Sequence, residues 1–352
     1  MKSLLKLLLK THFRRNCSKV ADTVGGFTLI ELLVAMIMTF LILTPLLAFV
    51  VDVLNTDRKE QVKSNTEQEI QAALDFISED LGQAIYIYDN EGINTATNNI
   101  NDKLPHNIDA AAGTPILVFW KRQLMKKVLP TLATSGDCAA TGTDTTCNDS
   151  YVFSLVAYYL KQDNTAIWCQ PAGGTCPARI TRYQYRDGVI NTNVTPPAYF
   201  PVTDTLRGAE PDDFVPFSLS ISGANLQAKM NQWPRQVDGG TRAITITAPT
   251  AQVLVNYIDT STVTAITDEC KKALGNPKLP DGTTDAAETK LRISTTSNSF
   301  YVCVDSTKTV ARVTIRGNAL RKLQNNATYS SAGSAFFPTA SVQVQGLGVL
   351  SQ

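Results

Sequence analysis

Gly26-Phe27-Thr28-Leu29-Ile30-Glu31 and the apolar run from Leu32 to Val51 decide how this chain is built. Phe27 to Val51 is 25 residues, which as a helix spans roughly 37 Å, enough to cross a hydrocarbon core of about 30 Å with some tilt. A secretory signal would have an apolar core of about 7 to 15 residues with small residues at a cleavage site behind it. Here the glycine comes first, and the run is long enough to stay in the bilayer. Glu31 places a carboxylate inside what should be hydrocarbon. That placement costs about 2.5 to 3.5 kcal/mol on insertion scales and marks a functional residue, whose expected partner is a cation. An ordinary signal anchor has no need of an acid in its first turn. Pro45 removes one backbone hydrogen bond from the same helix and favours a kink, tolerated in membranes when neighbours re-satisfy the freed carbonyl. A weak point that stretches and a harmless bend both fit a single proline.

The residues before Phe27 are basic. Lys2, Lys6, Lys10, Arg14, Arg15 and Lys19 against Asp22 give a net charge of +5, and the positive-inside rule holds that end in the cytoplasm. The C-terminal bulk then faces the periplasm or exterior. Six of the 32 basic residues and one of the 31 acidic residues lie in 1–26, so the remainder carries 26 against 30, net −4. No basic patch points to nucleic acid.

A glycine followed by phenylalanine, with a glutamate at the fifth position after the glycine, resembles the processing site of type IV prepilins and pseudopilins. The resemblance implies cleavage after Gly26 by a prepilin peptidase and methylation of the new N-terminal Phe27. It also implies pairing of Glu31 with the Phe27 amine of a neighbouring subunit, which sets the register of a filament. On this reading 1–26 is a leader, 27–52 crosses the membrane, 53–88 is an amphipathic continuation of the helix, and 89–352 is an extracytoplasmic β-rich head.

The helical period does continue past the membrane. Ile70, Ala73, Leu74, Ile77, Leu81, Ala84, Ile85 and Tyr88 recur at spacings of three and four, while Glu67, Gln68, Gln71, Asp75, Glu79 and Gln83 fall opposite. One helix from Phe27 to about Tyr88, roughly 90 Å long, is expected. Strand signals follow at Pro115–Trp120, Tyr151–Leu160, Arg179–Arg186, Gln252–Ile258, Phe300–Val304 and Thr309–Arg316. Two alternate cleanly, Tyr183 and Tyr185 against Arg182, Gln184 and Arg186, and Ala311, Val313 and Ile315 against Arg312, Thr314 and Arg316. One wet face is expected for each. The stretches 89–114, 131–150, 187–217 and 271–299 exceed ordinary connections and read as surface loops or small subdomains. The fold class is therefore α+β, a long N-terminal helix packed on an antiparallel sheet with long disulfide-bearing loops, the pilin-like architecture.

Of seven cysteines, Cys17 lies in the leader, and six remain in an oxidising compartment. Proximity suggests Cys138-Cys147, Cys169-Cys176 and Cys270-Cys303, although six cysteines allow about 15 pairings. Structural zinc would want cysteines two to four apart or nearby histidines, and only His106 follows the leader, His12 lying within it. Catalysis has no visible carrier either: HExxH, GxSxG, the P-loop and Rossmann glycines are all missing. Carboxylates are abundant but no pair is singled out, and Asp212-Asp213 and Glu79-Asp80 read as solvated surface. Asp89-Asn90-Glu91-Gly92 offers oxygen ligands for calcium without the spacing of an EF-hand. No cofactor, no metal and no enzyme activity are expected.

Residues 72–81 and 84–89, then Pro115-Ile116-Leu117-Val118-Phe119-Trp120-Lys121, narrow the resemblance. They are similar to the large minor pseudopilins grouped with PilW and with the J-type pseudopilins of type II secretion, and most closely to the pseudopilins of hormogonium polysaccharide secretion. That resemblance implies a minor subunit that joins or primes a type IV pilus-like filament supporting polysaccharide secretion and gliding motility. The implied partners are the peptidase, other pilins or pseudopilins, the assembly platform, the inner membrane and the exported polysaccharide. Major pilins carry their disulfide-bounded loop at the C-terminus, whereas 49 residues follow Cys303 here, so no receptor role carries over to that loop. Two rivals stay open: a type II secretion pseudopilin for protein export, and a membrane-tethered carbohydrate-binding adhesin or enzyme. The latter needs exposed aromatics, for which Trp120, Trp168 and Trp233 are candidates; core packing is the competing explanation for each.

Overall fold

A computed structural model of the chain describes residues 26–95, 99–104, 113–131, 138, 147–201, 204, 206–209, 215–233 and 251–348. Residues 1–25 of the leader, with Cys17, and likewise His106 and Asp212-Asp213, lie outside the described residues. The chain divides into two units, one ending at Asp57 and one running Arg58–Gln352.

Helix α1, Leu29–Gly82, is 54 residues long and runs through Pro45 without interruption. In the first unit every helical residue is exposed, and this part is long and apolar enough to cross a membrane. In the second unit a stripe of Ile70, Ala73, Leu74, Ile77 and Leu81 is buried. The helix stops earlier than the expected Tyr88. Gly82, a poor helix former, is its last residue, and Ala84–Ile87 form strand β1 instead. The sequence Ile85-Tyr86-Ile87-Tyr88 is β-branched and aromatic, and its apolar side chains satisfy a strand as well as a helix stripe. Pairing with a neighbouring strand settles the choice, placing Tyr86 opposite Trp120 and Ile87 opposite Phe119.

The remaining elements are β2 (Thr114–Pro130), β3 (Cys147–Lys161), β4 (Ala178–Arg186), β5 (Ile190–Asn191), β6 (Ala198–Tyr199), α2 (Leu226–Asn231), β7 (Gln252–Ile258), α3 (Glu269–Ala273), α4 (Glu288–Leu291), β8 (Arg292–Ser294), β9 (Phe300–Asp305), β10 (Val310–Arg316) and β11 (Thr339–Gln345). They build a five-stranded sheet ordered β1-β2-β3-β4-β7, a four-stranded sheet ordered β11-β10-β9-β8, and the β5-β6 ribbon. All pairings are antiparallel. The two main sheets are joined by a bridge between Ile258 and Gly317. The α1 stripe shares one core with residues of both sheets, Phe119, Val156 and Ile180 from one and Val302, Val313 and Ile315 from the other. Burying such a side chain stabilises by about 1.5 to 3 kcal/mol. Gly317 is where α1 approaches most closely: a β-carbon there would meet Ile70 Cδ1 at 2.7 Å and Thr66 Cγ2 at 2.8 Å.

The sequence-derived strands lie within observed ones except at Thr309, which is a turn residue with φ 53° ahead of β10, while β2 and β3 are much longer, because each runs beyond its apolar segment as a paired arm with a register shift between Met125 and Leu129. The expectation of one wet face per strand fails twice. Arg182 on β4 and Arg316 on β10 are buried, because each meets a carboxylate from a neighbouring segment, Asp80 and Asp259 respectively. The long connections carry structure of their own. In 269–303, the Cys270-Cys303 pair, Leu274, Ala286, Leu291 and Tyr301 make a separate small core.

Candidate functional site

At the N-terminus, Gly26 and Phe27 are exposed, with 82 % of Phe27 accessible. Thr28 precedes the first helical residue. Its Oγ1 accepts the Glu31 N–H at 3.3 Å and donates to Glu31 Oε2 at 3.4 Å. Thr28-Leu29-Ile30-Glu31 thus has the sequence of a capping box, of which the hydroxyl half is made: Thr28 serves one free N–H of the first turn, and the carboxylate accepts from that hydroxyl rather than from a backbone N–H. This local partner of Glu31 escapes the sequence reading given above, though the Thr-x-x-Glu pattern carries the signal. Among the described residues Glu31 forms no ion pair, and its carboxylate stands at the positive end of the helix dipole. Farther along, the hydroxyls of Thr39 and Thr44 donate to Ala35 O and Phe40 O, both at 2.8 Å. The two threonine hydroxyls of this stretch are therefore satisfied within the helix, as an apolar surrounding requires. The surface between Met36 and Leu47 is an apolar shallow groove.

The second cluster anchors the helix to the five-stranded sheet. Asp80 projects from the buried stripe, next to Ile77 and Leu81, and is 6 % exposed. Its Oδ1 accepts Lys121 Nζ from β2 at 2.7 Å; its Oδ2 accepts the Tyr158 hydroxyl from β3 and Arg182 Nε from β4, both at 2.6 Å. Three adjacent strands therefore converge on one helical carboxylate. Burial alone would raise the Asp80 pKa, but the Arg182 hydrogen bonds and the Lys121 charge outweigh it and hold the carboxyl below its ordinary value. Burial beside that anion pushes the Tyr158 phenol well above its usual range. Glu79-Asp80 is thus a correction: Glu79 is exposed, but Asp80 is not solvated surface. The signal in the sequence is its place three residues after Ile77, on the apolar stripe.

Asp89 and Glu91 of the calcium candidate turn toward a cation that the chain itself supplies. Lys290 Nζ lies 3.7 Å from Asp89 Oδ2 and pairs with Glu91, while Asp89 also accepts the Gly92 N–H at 2.9 Å and Gln227 Nε2 at 2.8 Å. Burial raises the Asp89 pKa despite these donors. Among the described residues no group of three or more His, Cys, Asp or Glu is placed to hold a metal. Trp120 and Trp233 sit in the core, their rings 5.4 Å apart, with Trp120 Nε1 donating to Tyr88 Oη at 3.1 Å and Trp233 Nε1 to Val215 O at 3.1 Å. Trp168 is half-buried, with the Arg179 guanidinium 5.1 Å from its ring centre. Two of the three tryptophans are therefore closed to a saccharide.

The cysteines join as Cys138-Cys147, Cys169-Cys176 and Cys270-Cys303. The middle loop is held from inside by Arg321, which is 1 % exposed. Its guanidinium donates to the carbonyls of Thr175 at 3.0 Å, Pro171 at 3.0 Å and Gly173 at 3.2 Å. No protein-family model, curated protein or solved structure matches the chain.

Proposed function

We propose that the chain is a non-enzymatic minor pseudopilin, processed after Gly26 and held by a single membrane pass with its N-terminus cytoplasmic, that joins or primes a type IV pilus-like filament serving polysaccharide secretion and gliding motility. The observation that carries the reading is Glu31, a carboxylate one turn into an otherwise apolar exposed helix, without an ion-pair partner among the described residues. Its cost in hydrocarbon calls for a cation, and cleavage after Gly26 creates one at Phe27, one turn away in the same helix or on a neighbouring subunit. The α+β layout, with the later part of α1 packed on antiparallel sheets and disulfides in the long connections, agrees with a secreted head on such an anchor. The length of the head favours a tip or initiating position over a repeated one, since long loops are hard to pack along a thin fibre.

Mass spectrometry of the membrane fraction tests the processing half of this proposal; the expected N-terminus is methylated Phe27, and an assembled pool still joined to residues 1–26 sinks it. Glu31→Ala tests the assembly half. It should leave insertion intact, because the transfer cost falls by about 2 to 3 kcal/mol, yet abolish crosslinks to neighbouring pseudopilins together with polysaccharide release. Normal crosslinks and release from a stably expressed Glu31→Ala chain refute the role given to Glu31.

A further inference from the structure

The turn after β1 and the short helix α4 are far apart in sequence and held side by side in the fold. Asn90 Nδ2 donates to Thr289 O at 2.8 Å, and Lys290 Nζ pairs with Glu91 across a sequence separation of 199. The same ammonium donates to Gln227 Oε1 of α2 at 3.4 Å and lies 3.7 Å from Asp89 Oδ2. One lysine needs one carboxylate for charge, and Glu91, which is exposed, supplies it. Asp89 is then a second acid, 1 % exposed, at a lysine that is already neutralised. Burying it there costs free energy that the ion pair does not require.

The Asp89 carboxyl is fixed from both ends. Its Oδ1 accepts the Gly92 N–H at 2.9 Å, and its Oδ2 accepts Gln227 Nε2 at 2.8 Å and the Ser306 hydroxyl at 3.4 Å. Only glycine brings its N–H so close, since a β-carbon on Gly92 would meet Asn231 Oδ1 at 2.9 Å and Tyr88 Cδ1 at 3.0 Å. Burial raises the Asp89 pKa and so favours the neutral carboxyl, which is the electrophilic form. Beside it is a cavity of about 10 Å³ lined by Asp89, Lys290, Leu291, Val304, Asp305 and Ser306, room for one water. Asp305 Oδ2, buried and without a hydrogen bond among the described residues, belongs to a residue of that lining.

We propose that Lys290 and Asp89 condense to an isopeptide bond, which joins the turn after β1 covalently to α4. The Lys290 ammonium passes one proton to the Glu91 carboxylate. The freed Nζ attacks Cγ of the neutral Asp89 carboxyl, a C–N bond forms, and negative charge gathers on Oδ1, where the Gly92 N–H meets it. Nζ passes a second proton to the Oδ2 hydroxyl, the C–Oδ2 bond breaks, and Oδ2 leaves as water into the cavity. An amine and a carboxyl become an amide and a water, and nothing is oxidised or reduced. The first proton stays on Glu91, whose exposure returns it to solvent. Holding the two groups in place gives an effective concentration of about 10⁵ M or more, which stands in for the activated acid that amide formation otherwise needs. The inference uses neither Glu31 nor the processing site, so either can fail without the other.

The test uses the full chain isolated from its own membrane, reduced, digested with trypsin and mapped by mass spectrometry. Cleavage after Lys63, Lys103, Lys278 and Arg292 releases 64–103 and 279–292. The expected product is one branched peptide joining the two, lighter than their sum by one water and uncut after Lys290. Lys290→Arg keeps the positive charge but has no amine to acylate, so it should give the two segments as separate linear peptides. Glu91→Gln removes the proton acceptor and should slow linkage about a hundred-fold in a pulse-chase. A wild-type chain cut after Lys290, giving a free linear 279–290, overturns the inference and leaves an ion pair only. A linkage rate unchanged by Glu91→Gln overturns the step as written. If either variant fails to fold, the wild-type peptide map decides by itself.

Discussion

Two buried aspartates show how burial and partners decide the sign of a residue's effect. Asp80 has two cations and a phenol within hydrogen-bond reach, and its carboxyl is held below the ordinary value. Asp187, just after β4, accepts the Gly188 N–H at 2.7 Å as its one donor among the described residues, and lies near Tyr199. Burial pushes it up to about 6, against which the single donor does little. The native state therefore binds the Asp187 proton more tightly than the unfolded chain does. Its contribution is greatest below the unfolded pKa of about 4 and is lost as pH rises through about 6. Replacement by a neutral isostere removes that loss. Asp187→Asn should raise stability at pH 7.5 by about 2 to 3 kcal/mol, the equivalent of about two pKa units, with a gain that shrinks toward zero below pH 4. Urea denaturation of the detergent-solubilised chain across pH 4 to 8 measures it. An equal effect at both ends of that range rejects the assignment.

At the scale of elements, α1 is held by a stripe and by a single charge. The stripe fixes which face meets the sheets, but apolar packing tolerates slippage better than a hydrogen-bonded carboxylate does. Asp80, bonded to three different strands, fixes rotation and axial position together. Asp80→Asn leaves Lys121 and Arg182 buried without an anion, which should cost about 3 to 5 kcal/mol. Because the native carboxyl titrates low, the wild-type advantage is present above the unfolded pKa and disappears as pH falls through the folded one. Urea midpoints of both chains at pH 7 and pH 3 check this; no difference at pH 7 removes the anchor. The stripe was legible from spacing because a helix with one buried face must repeat every three to four residues. Asp80 was not, since a carboxylate next to Glu79 looks solvated until strands place Lys121, Tyr158 and Arg182 around it. Ala84 to Tyr88 failed for a related reason: Ile85, Tyr86 and Ile87 are apolar in either conformation, and only pairing with Phe119 and Trp120 decides. Strand β11 shows its period openly in Ala340, Val342 and Val344, but Ser341, Gln343 and Gln345 between them are not the β-branched or aromatic residues that mark a strand.

For the whole molecule, the division after Asp57 separates two kinds of stability. Residues 29–54 expose leucines, isoleucines, phenylalanines and valines throughout, so this part of α1 is long and apolar enough to cross a membrane, where each such residue would contribute about 0.3 to 0.6 kcal/mol at the centre of a bilayer. The second unit has a core that draws on both main sheets and on α1 from Ile70 onward. It also holds all three disulfides, of which Cys270-Cys303 closes the longest loop at a separation of 33 and contributes about 4 kcal/mol in the chain-entropy model. None of the Asp80, Arg321 or Asp259 contacts reaches back before Arg58. A protein beginning at Arg58 should therefore fold without detergent, keep six oxidised cysteines, and lose only the helical turns ahead of Thr66, the first buried residue of the helix. Expression into an oxidising compartment, thiol labelling with and without reduction, and melting followed by near-ultraviolet circular dichroism give the answer. A cooperative transition with no labelled thiol before reduction is the expected result. A chain that needs detergent, or melts without cooperativity, shows that the head depends on residues before Arg58 and removes the separation of anchor from head on which a membrane-tethered subunit rests.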